Sequence, residues 1–225
     1  MKQNPTFLSL QGSYSTLEIS LYNESECQKS FKEDNLRASS LLIPKIKDLL
    51  DDNNLSLNDL DFIAVNQGPG AFTSLRVVIT VANALAFAKK IPLIGIDGLE
   101  ALYDQASEKI DSKNIVVILN AYNNDVYFAF KKKGILEKGY KKIDKLILEL
   151  KEVFEDSIIF VGNAYEQHKD ILNNLNHSFI DLQNASASQI AKMALDKWNK
   201  NNKDVSYKLT PLYLKSQKFA IKSKK

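Results

Sequence analysis

Residues 61 to 97, DFIAVNQGPGAFTSLRVVITVANALAFAKKIPLIGID, constrain the fold more than any other stretch of this chain. Phe62 to Val65 is a short apolar run, and Asn66-Gln67 brings it out of the core. Gly68-Pro69-Gly70 then predicts a tight turn, since glycine reaches φ values closed to other residues and proline holds its own. Thr73 or Ser74 is a candidate cap for a helix that is apolar almost throughout from Leu75 to Ala88. Leu93 to Ile96 supplies a second buried strand. The unit is strand, glycine turn, helix, strand, with a crossover long enough for parallel pairing.

Arg76, Thr80 and Asn83 fall on one narrow line of the helix, and Ala82 and Ala86 on another where backbones could approach closely. A helix apolar on most sides must be covered on most sides. Its own sheet takes one face, and the other needs a second cover, either more of this chain or another protein, so a buried helix at an interface is one expectation. The continuous apolar stretch is shorter than the ~20 residues a membrane span requires.

Elsewhere the chain divides into two similar halves. In the first, strands are expected over Thr6–Leu10, Leu17–Leu21 and Cys27–Glu33. A helix follows from Ala38 to Leu50, kinked or starting late because Pro44 lies inside it. The glycine-turn unit completes this half. In the second, strands at Ile115–Leu119, Val126–Phe130 and Gly134–Gly139 precede a helix carrying Ile143, Leu146, Ile147, Leu150 and Phe154 on one face. A strand at Ile158–Val161, a helix at Tyr165–Leu175, a strand at Phe179–Leu182 and a helix at Ser186–Asn199 finish it. The order β-β-β-α-β-α thus occurs twice. It predicts two α/β lobes with mixed sheets and helices on their faces, 1–102 and 103–225, with a cleft between them.

Composition excludes several function classes. Net charge is only +3, so no global field marks a nucleic-acid binder. The positive excess is local, in Lys131-Lys132-Lys133 and a lysine-rich tail from Lys215 to Lys225, both expected as solvated surface. The single cysteine, Cys27, excludes an internal disulfide and fits a reducing compartment, and the start of the chain has no signal-peptide core, so a cytoplasmic location is expected.

Catalytic apparatus is sparse. Gly68-Pro69-Gly70 with Thr73 and Arg76 is a candidate turn or anion site, because a helix N-terminus presents free N–H groups. It lacks the Gly-Lys-Ser/Thr of a Walker loop and the third glycine of a dinucleotide fingerprint. Arg76 opposes the helix dipole, so an acidic partner, a bound anion or full solvation is expected for it. His168 and His177 are expected at the surface, and with Cys27 they do not make a zinc motif; no metal site is expected. Asp97, Asp125 and Asp181 stand at strand ends as turn residues.

The stretch GPGAFTSLRVVITVANALA resembles the GPGSFTGLRIG-type segment of the TsaB (YeaZ) family of tRNA threonylcarbamoyladenosine biosynthesis proteins. FLSLQGSYSTLEISLY, LNDLDFIAVNQGPG, IPLIGIDGLEAL, VYFAF, FVGNA and PLYLK extend the resemblance along most of the chain. It implies an actin-like fold of two ribonuclease-H-like lobes, shared with sugar kinases and heat-shock proteins. It further implies a non-catalytic scaffold subunit that dimerises with and activates the catalytic TsaD subunit and recruits the ATPase TsaE. Such a subunit has no cofactor of its own, ATP being used by the complex, and meets tRNA through that complex. When alone it could form a homodimer.

In that family the first two helices form the dimerisation surface, which here places Leu42, Ile46, Val78, Val81, Ala82 and Leu85 as interface candidates. Gln11 stands where the family has aspartate, and Asn120-Ala121-Tyr122 where it often has D-A-R; Ser74 and Val78 replace family glycines. Two amides in place of the acids remove the negative charge that a metal around a nucleotide requires. The rival reading is an ATP-dependent small-molecule kinase, ATPase or peptidase using the interlobe cleft. It would need carboxylates where Gln11 and Asn120 lie, or histidine ligands. A direct RNA-binding module, resting on the lysine tail alone, is the third.

Overall fold

A computed structural model describes residues 4–34, 38–200 and 205–215. The first half begins with β1 (Thr6–Gln11), β2 (Leu17–Asn23) and β3 (Glu26–Glu33), an antiparallel meander. Helix α1 (Ala38–Asp51) runs through Pro44, so the late start expected from that proline is not seen. A short 3-10 turn (Leu57–Asp59) leads into β4 (Phe62–Asn66), α2 (Phe72–Lys89) and β5 (Leu93–Ile96). β4 pairs parallel with β1, and β5 parallel with β4, giving the sheet order β3-β2-β1-β4-β5.

After α3 (Gly98–Lys109) the second half repeats the pattern. β6 (Ile115–Asn120), β7 (Asp125–Lys132) and β8 (Ile135–Lys142) form the meander. Then come α4 (Ile143–Val153), β9 (Ile158–Val161), α5 (Tyr165–Leu172), β10 (His177–Phe179) and α6 (Ala187–Asn199). The second sheet has the order β8-β7-β6-β9-β10, with β9 and β10 parallel. It is the first sheet's topology over again, so the chain is two ribonuclease-H-like lobes in tandem.

The central strands are buried on both faces, which is why they read as continuous apolar runs. On β1, Leu8 and Leu10 point into a cluster with α1 and α2, while Phe7 points into a second cluster with α6. On β6, Val116 and Ile118 face the core of the second lobe, and Ile115, Val117 and Leu119 face the centre of the molecule. That centre is filled by α3, which packs on β6 and β7, and by α6, which packs on β1, β2, β4 and β5. Phe62 stacks on Trp198 there, with ring centroids 4.8 Å apart. The expected division after residue 102 falls inside α3, and α6 of the second half covers the first half's sheet.

Helix α2 packs through Leu75, Val78, Ile79, Ala82 and Ala86, a single stripe at helical spacing. Its cap is not Thr73 or Ser74: the helix starts at Phe72, at least two residues earlier than either cap would set it, with Ala71 as an N-cap that makes no side-chain bond. The Ala71 N–H instead donates to the Ser13 carbonyl at 2.6 Å. By length and composition α2 could cross a membrane, but this stripe lies in the lobe's core. Past α6, residues 205–213 run back over the first lobe, and Lys215 reaches the second, at Ala121 and Asp125. Ser206 exchanges two backbone bonds with Leu93, Asn83 holds both backbone groups of Leu209, and Leu212 donates to the Gln67 carbonyl. The rest of the lysine-rich tail lies outside the described residues.

Candidate functional site

The two expected cleft positions lie at matching strand ends, Gln11 closing β1 and Asn120 closing β6. Gln11 is buried. Its Oε1 accepts from Asn66 Nδ2 at 2.8 Å, and its Nε2 donates to Ser13 Oγ at 3.2 Å. Asn66 Oδ1 in turn accepts from the Gly68 N–H at 2.8 Å. Asn120 accepts from the Tyr122 N–H and donates to Gln167 Oε1, both at 2.8 Å. Its own N–H donates to Asn163 Oδ1 at 2.9 Å. The Tyr14 hydroxyl crosses between the lobes to the Asn120 carbonyl at 2.9 Å. Burial above all pushes the Tyr14 pKa up, so the phenol stays a donor.

Between these strand ends lies a pocket of about 380 Å³ lined by Tyr14, Ser15, Ser74, Asn120, Tyr122 and Asn163, with Ala71. Among the described residues no carboxylate lines it. Asp125 is beyond its edge and is paired with Lys215 at 2.6 Å. Among the described residues no group of three or more His, Cys, Asp or Glu could hold a metal. The amides are already engaged with one another and with backbone, so the cleft is a hydrogen-bonded seam between lobes. Tyr14, Ser15 and Asn163 were not singled out in the sequence, and Tyr122 entered only as the last residue of Asn120-Ala121-Tyr122; a strand-end position followed by a turn was the available signal.

The glycine turn is tied down rather than open. Gly68 has a φ of 97° and leads into a cis peptide with Pro69. A Cβ on Gly70 would lie 2.3 Å from the Ser13 carbonyl oxygen, so only glycine lets the β1–β2 turn approach this loop. The Gly68 and Ala71 N–H groups are spent on Asn66 and Ser13, and the Gly68 carbonyl accepts from Gly98 at 2.7 Å. Thr73 is exposed. Arg76 meets neither an acid nor full solvation among the described residues: Nε donates to the Tyr213 hydroxyl at 2.8 Å, and its guanidinium lies 3.5 Å above the Phe72 ring. Two aromatic rings on an exposed surface, Phe72 and Tyr213, thus stand where an acidic partner was one of the expectations.

The histidines also differ from expectation. His168 is buried on α5, and its Nε2 has no hydrogen-bond partner among the described residues; burial pushes its pKa down. His177 is half-buried and bonded to the Tyr165 hydroxyl and the Leu175 carbonyl. Asp97 does serve its turn, capping α3 through the N–H groups of Leu99 and Glu100.

On the opposite side, α1 and α2 pack together and leave an apolar groove of about 300 Å³. Three of the interface candidates cannot line a free surface: Leu42, Val78 and Ala82 are fully buried in the lobe's own core, while Ile46, only 3% exposed, still reaches the groove by one edge. Their stripe is the one that seals the helices onto the sheet. Val81 and Leu85 remain half-exposed on the next line of α2. The groove itself is formed by Ile43, Leu50, Leu55, Leu57 and Leu85 with the edge of Ile46, and Lys47, Asp51 and Ser56 complete its lining. Ile43 is 57% exposed and Phe87 89%. Ile43 follows directly on Leu42, so a helical wheel of α1 would have separated the two.

A family model described as TsaD, tRNA N6-adenosine threonylcarbamoyltransferase, matches residues 37–215. The tRNA threonylcarbamoyladenosine biosynthesis protein TsaB of Haemophilus influenzae is 26% identical over 96% of this chain and 95% of its own length. The Bacillus subtilis protein of the same name is 27% identical over 76% of each chain. Among solved structures, YeaZ from Pseudomonas aeruginosa superposes with a TM-score of 0.75 at 21% identity, covering 93% of this chain and all of that one, and so shares its fold. The chain belongs to the TsaD family of tRNA threonylcarbamoyladenosine proteins, within its TsaB (YeaZ) group.

Proposed function

We propose that the chain is a scaffold subunit for tRNA threonylcarbamoyladenosine synthesis, acting in the cytoplasm without catalysis of its own. The observation that carries this reading is the apolar groove between α1 and α2, with Ile43 and Leu85 at its wall and none of the described residues over it. A groove of aliphatic side chains gains free energy by burying apolar area, at about 25 cal/mol per Å². The occupant is the α1–α2 face of a TsaD-type catalytic paralogue, built from the same repeated fold. In its absence two copies of this chain meet through the same face.

The amide-lined cleft supports the absence of independent chemistry. Phosphoryl transfer needs charge-bearing ligands for its metal, and Gln11 and Asn120 supply neutral oxygens already engaged by Asn66 and Tyr122. The chain accordingly carries no nucleotide or metal of its own. ATP is used elsewhere in the complex, by a TsaE-type ATPase that joins the paired subunits, and tRNA is met there.

The test is sedimentation of the purified chain with its TsaD-type paralogue. A one-to-one complex that replaces any homodimer is expected. Two proteins that sediment independently would overturn the assignment.

A further inference from the structure

We propose that a lysine-lined groove on the second lobe, at the tip of the β7–β8 hairpin, is a docking site for the phosphate backbone of RNA. Choosing RNA as the occupant rests on the tRNA-modification reading; the charge of the groove does not.

The groove has a volume of about 690 Å³. Lys131 and Lys132 end β7, and Lys133-Gly134 form the two-residue turn to β8, where Lys132 pairs with Ile135. Both turn residues have positive φ, 50° and 83°. Asn or Asp is the ordinary occupant of the first position in such a turn, so a lysine there sets its charge at a conformationally unfavourable place. Lys113, on the α3–β6 connection, lines the same groove, and the neighbouring Asn114 is held by the Ser157 carbonyl.

Among the described residues none of these four lysines makes an ion pair, whereas Lys138 and Lys141 on the adjoining strand do. Among the described residues Glu152 is the one acid in the groove lining, and Asp104 lies beside Lys131 outside it. The lining thus carries four lysines against one glutamate, an excess of two even with Asp104 counted against it, in a chain whose whole net charge is +3.

The occupant follows from shape and chemistry. The volume exceeds what a single phosphate fills and suits a nucleotide or more. Lysine is a compact point charge without a bidentate fork, which fits positioning contacts to successive phosphates rather than recognition of one carboxylate. Phe154 lines the wall half-exposed, and Lys131 lies over the Tyr103 ring at 5.1 Å. A half-exposed ring can stack on any base, an interaction that an acidic peptide would leave unused.

Fluorescence anisotropy of the full chain against an unmodified tRNA transcript, over a series of salt concentrations, tests the proposal. Replacing Lys113, Lys131, Lys132 and Lys133 together by Gln should flatten the log–log salt slope by about 3, at roughly 0.7–0.9 for each phosphate no longer neutralised. Lys132→Gln with Lys133→Gln, both on exposed hairpin positions, should take about half of that. Circular dichroism melting confirms that each variant folds, and the double variant stands in if the quadruple one does not. Poly-glutamate of matched charge should compete poorly. No tRNA binding by the natural chain, an unchanged slope in the variants, or equal competition by poly-glutamate would each overturn the proposal. Sedimentation with the catalytic paralogue is read on the same variants. Retained pairing with a flattened slope supports the groove, while failure of the natural chain to pair refutes only the scaffold reading.

Discussion

Ala82→Glu and Ile43→Glu are one substitution type placed on two sides of the same helix pair, and they should behave oppositely. Ala82 is fully buried in the cluster shared by α1, α2 and the first sheet. Forcing a longer side chain into that space costs about 1–3 kcal/mol. The carboxyl must also be buried, and it will protonate rather than stay charged. Raising its pKa from about 4.3 to beyond 7 adds roughly 4 kcal/mol at neutral pH. The sum, about 5–7 kcal/mol, is a large part of the ~5–15 kcal/mol that holds a typical domain together.

Ile43 is already more than half exposed, so Ile43→Glu should cost the isolated chain under about 1 kcal/mol. In the complex its carboxylate would be desolvated against aliphatic walls. At about 2–4 kcal/mol, that weakens association roughly 30- to 700-fold. Circular dichroism melting is read beside sedimentation with the catalytic paralogue. Ala82→Glu should lose on the order of 10–25 °C in Tm at about 2–4 °C per kcal/mol, and Ile43→Glu should keep its Tm and lose its partner. A normal melting curve for Ala82→Glu, or undiminished pairing of Ile43→Glu, would refute the placement of core and interface.

Gly70→Ala should destabilise the chain by about 1–3 kcal/mol in urea titration, because the added Cβ meets the Ser13 carbonyl; a silent substitution would mean the two turns do not touch. Burial lowers the His168 pKa from 6.5, so the unfolded chain takes up a proton that the folded chain resists. Stability should therefore be full above that value and fall as pH drops through it, and His168→Phe should remove that part of the acid-side loss. Equal pH dependence in both proteins would contradict the buried, neutral imidazole. The purified chain should show no magnesium-dependent ATP hydrolysis, and activity that disappears on changing Asn120 or Tyr14 would restore the kinase reading.

Both meanders and the parallel β4–α2–β5 unit were legible because strands buried on both faces leave apolar runs, and turns leave glycine or asparagine; the last strand, expected at Phe179–Leu182, lies instead at His177–Phe179. The repeated order followed from those elements alone, without any residue-level repeat. Gln11 and Asn120 were paired by the family resemblance rather than by any local pattern, and the structure puts each at the end of the first strand of its lobe. What the sequence could not show is which stripe of an apolar helix is covered. Val78 and Ala82 read as interface because α2 is apolar all round, yet small and branched side chains at that spacing also suit close packing on α1 and the sheet. The partners of Arg76 were hidden because Tyr213 lies far along the chain and reaches the helix only through residues 205–215. His168 was misplaced because a lone histidine among Glu166, Gln167 and Lys169 looks solvated, although α5 turns that position inward.

The central claim is that this chain is required for synthesis but performs none of it. The direct measurement is threonylcarbamoyladenosine in tRNA, quantified by mass spectrometry after reconstitution with the TsaD-type and TsaE-type proteins, with and without this chain. The expected result is product only when the chain is present, none from the chain alone, and none when Ile43→Glu replaces it at concentrations below its weakened affinity. Undiminished product in the chain's absence, or product from the chain by itself, would contradict the account.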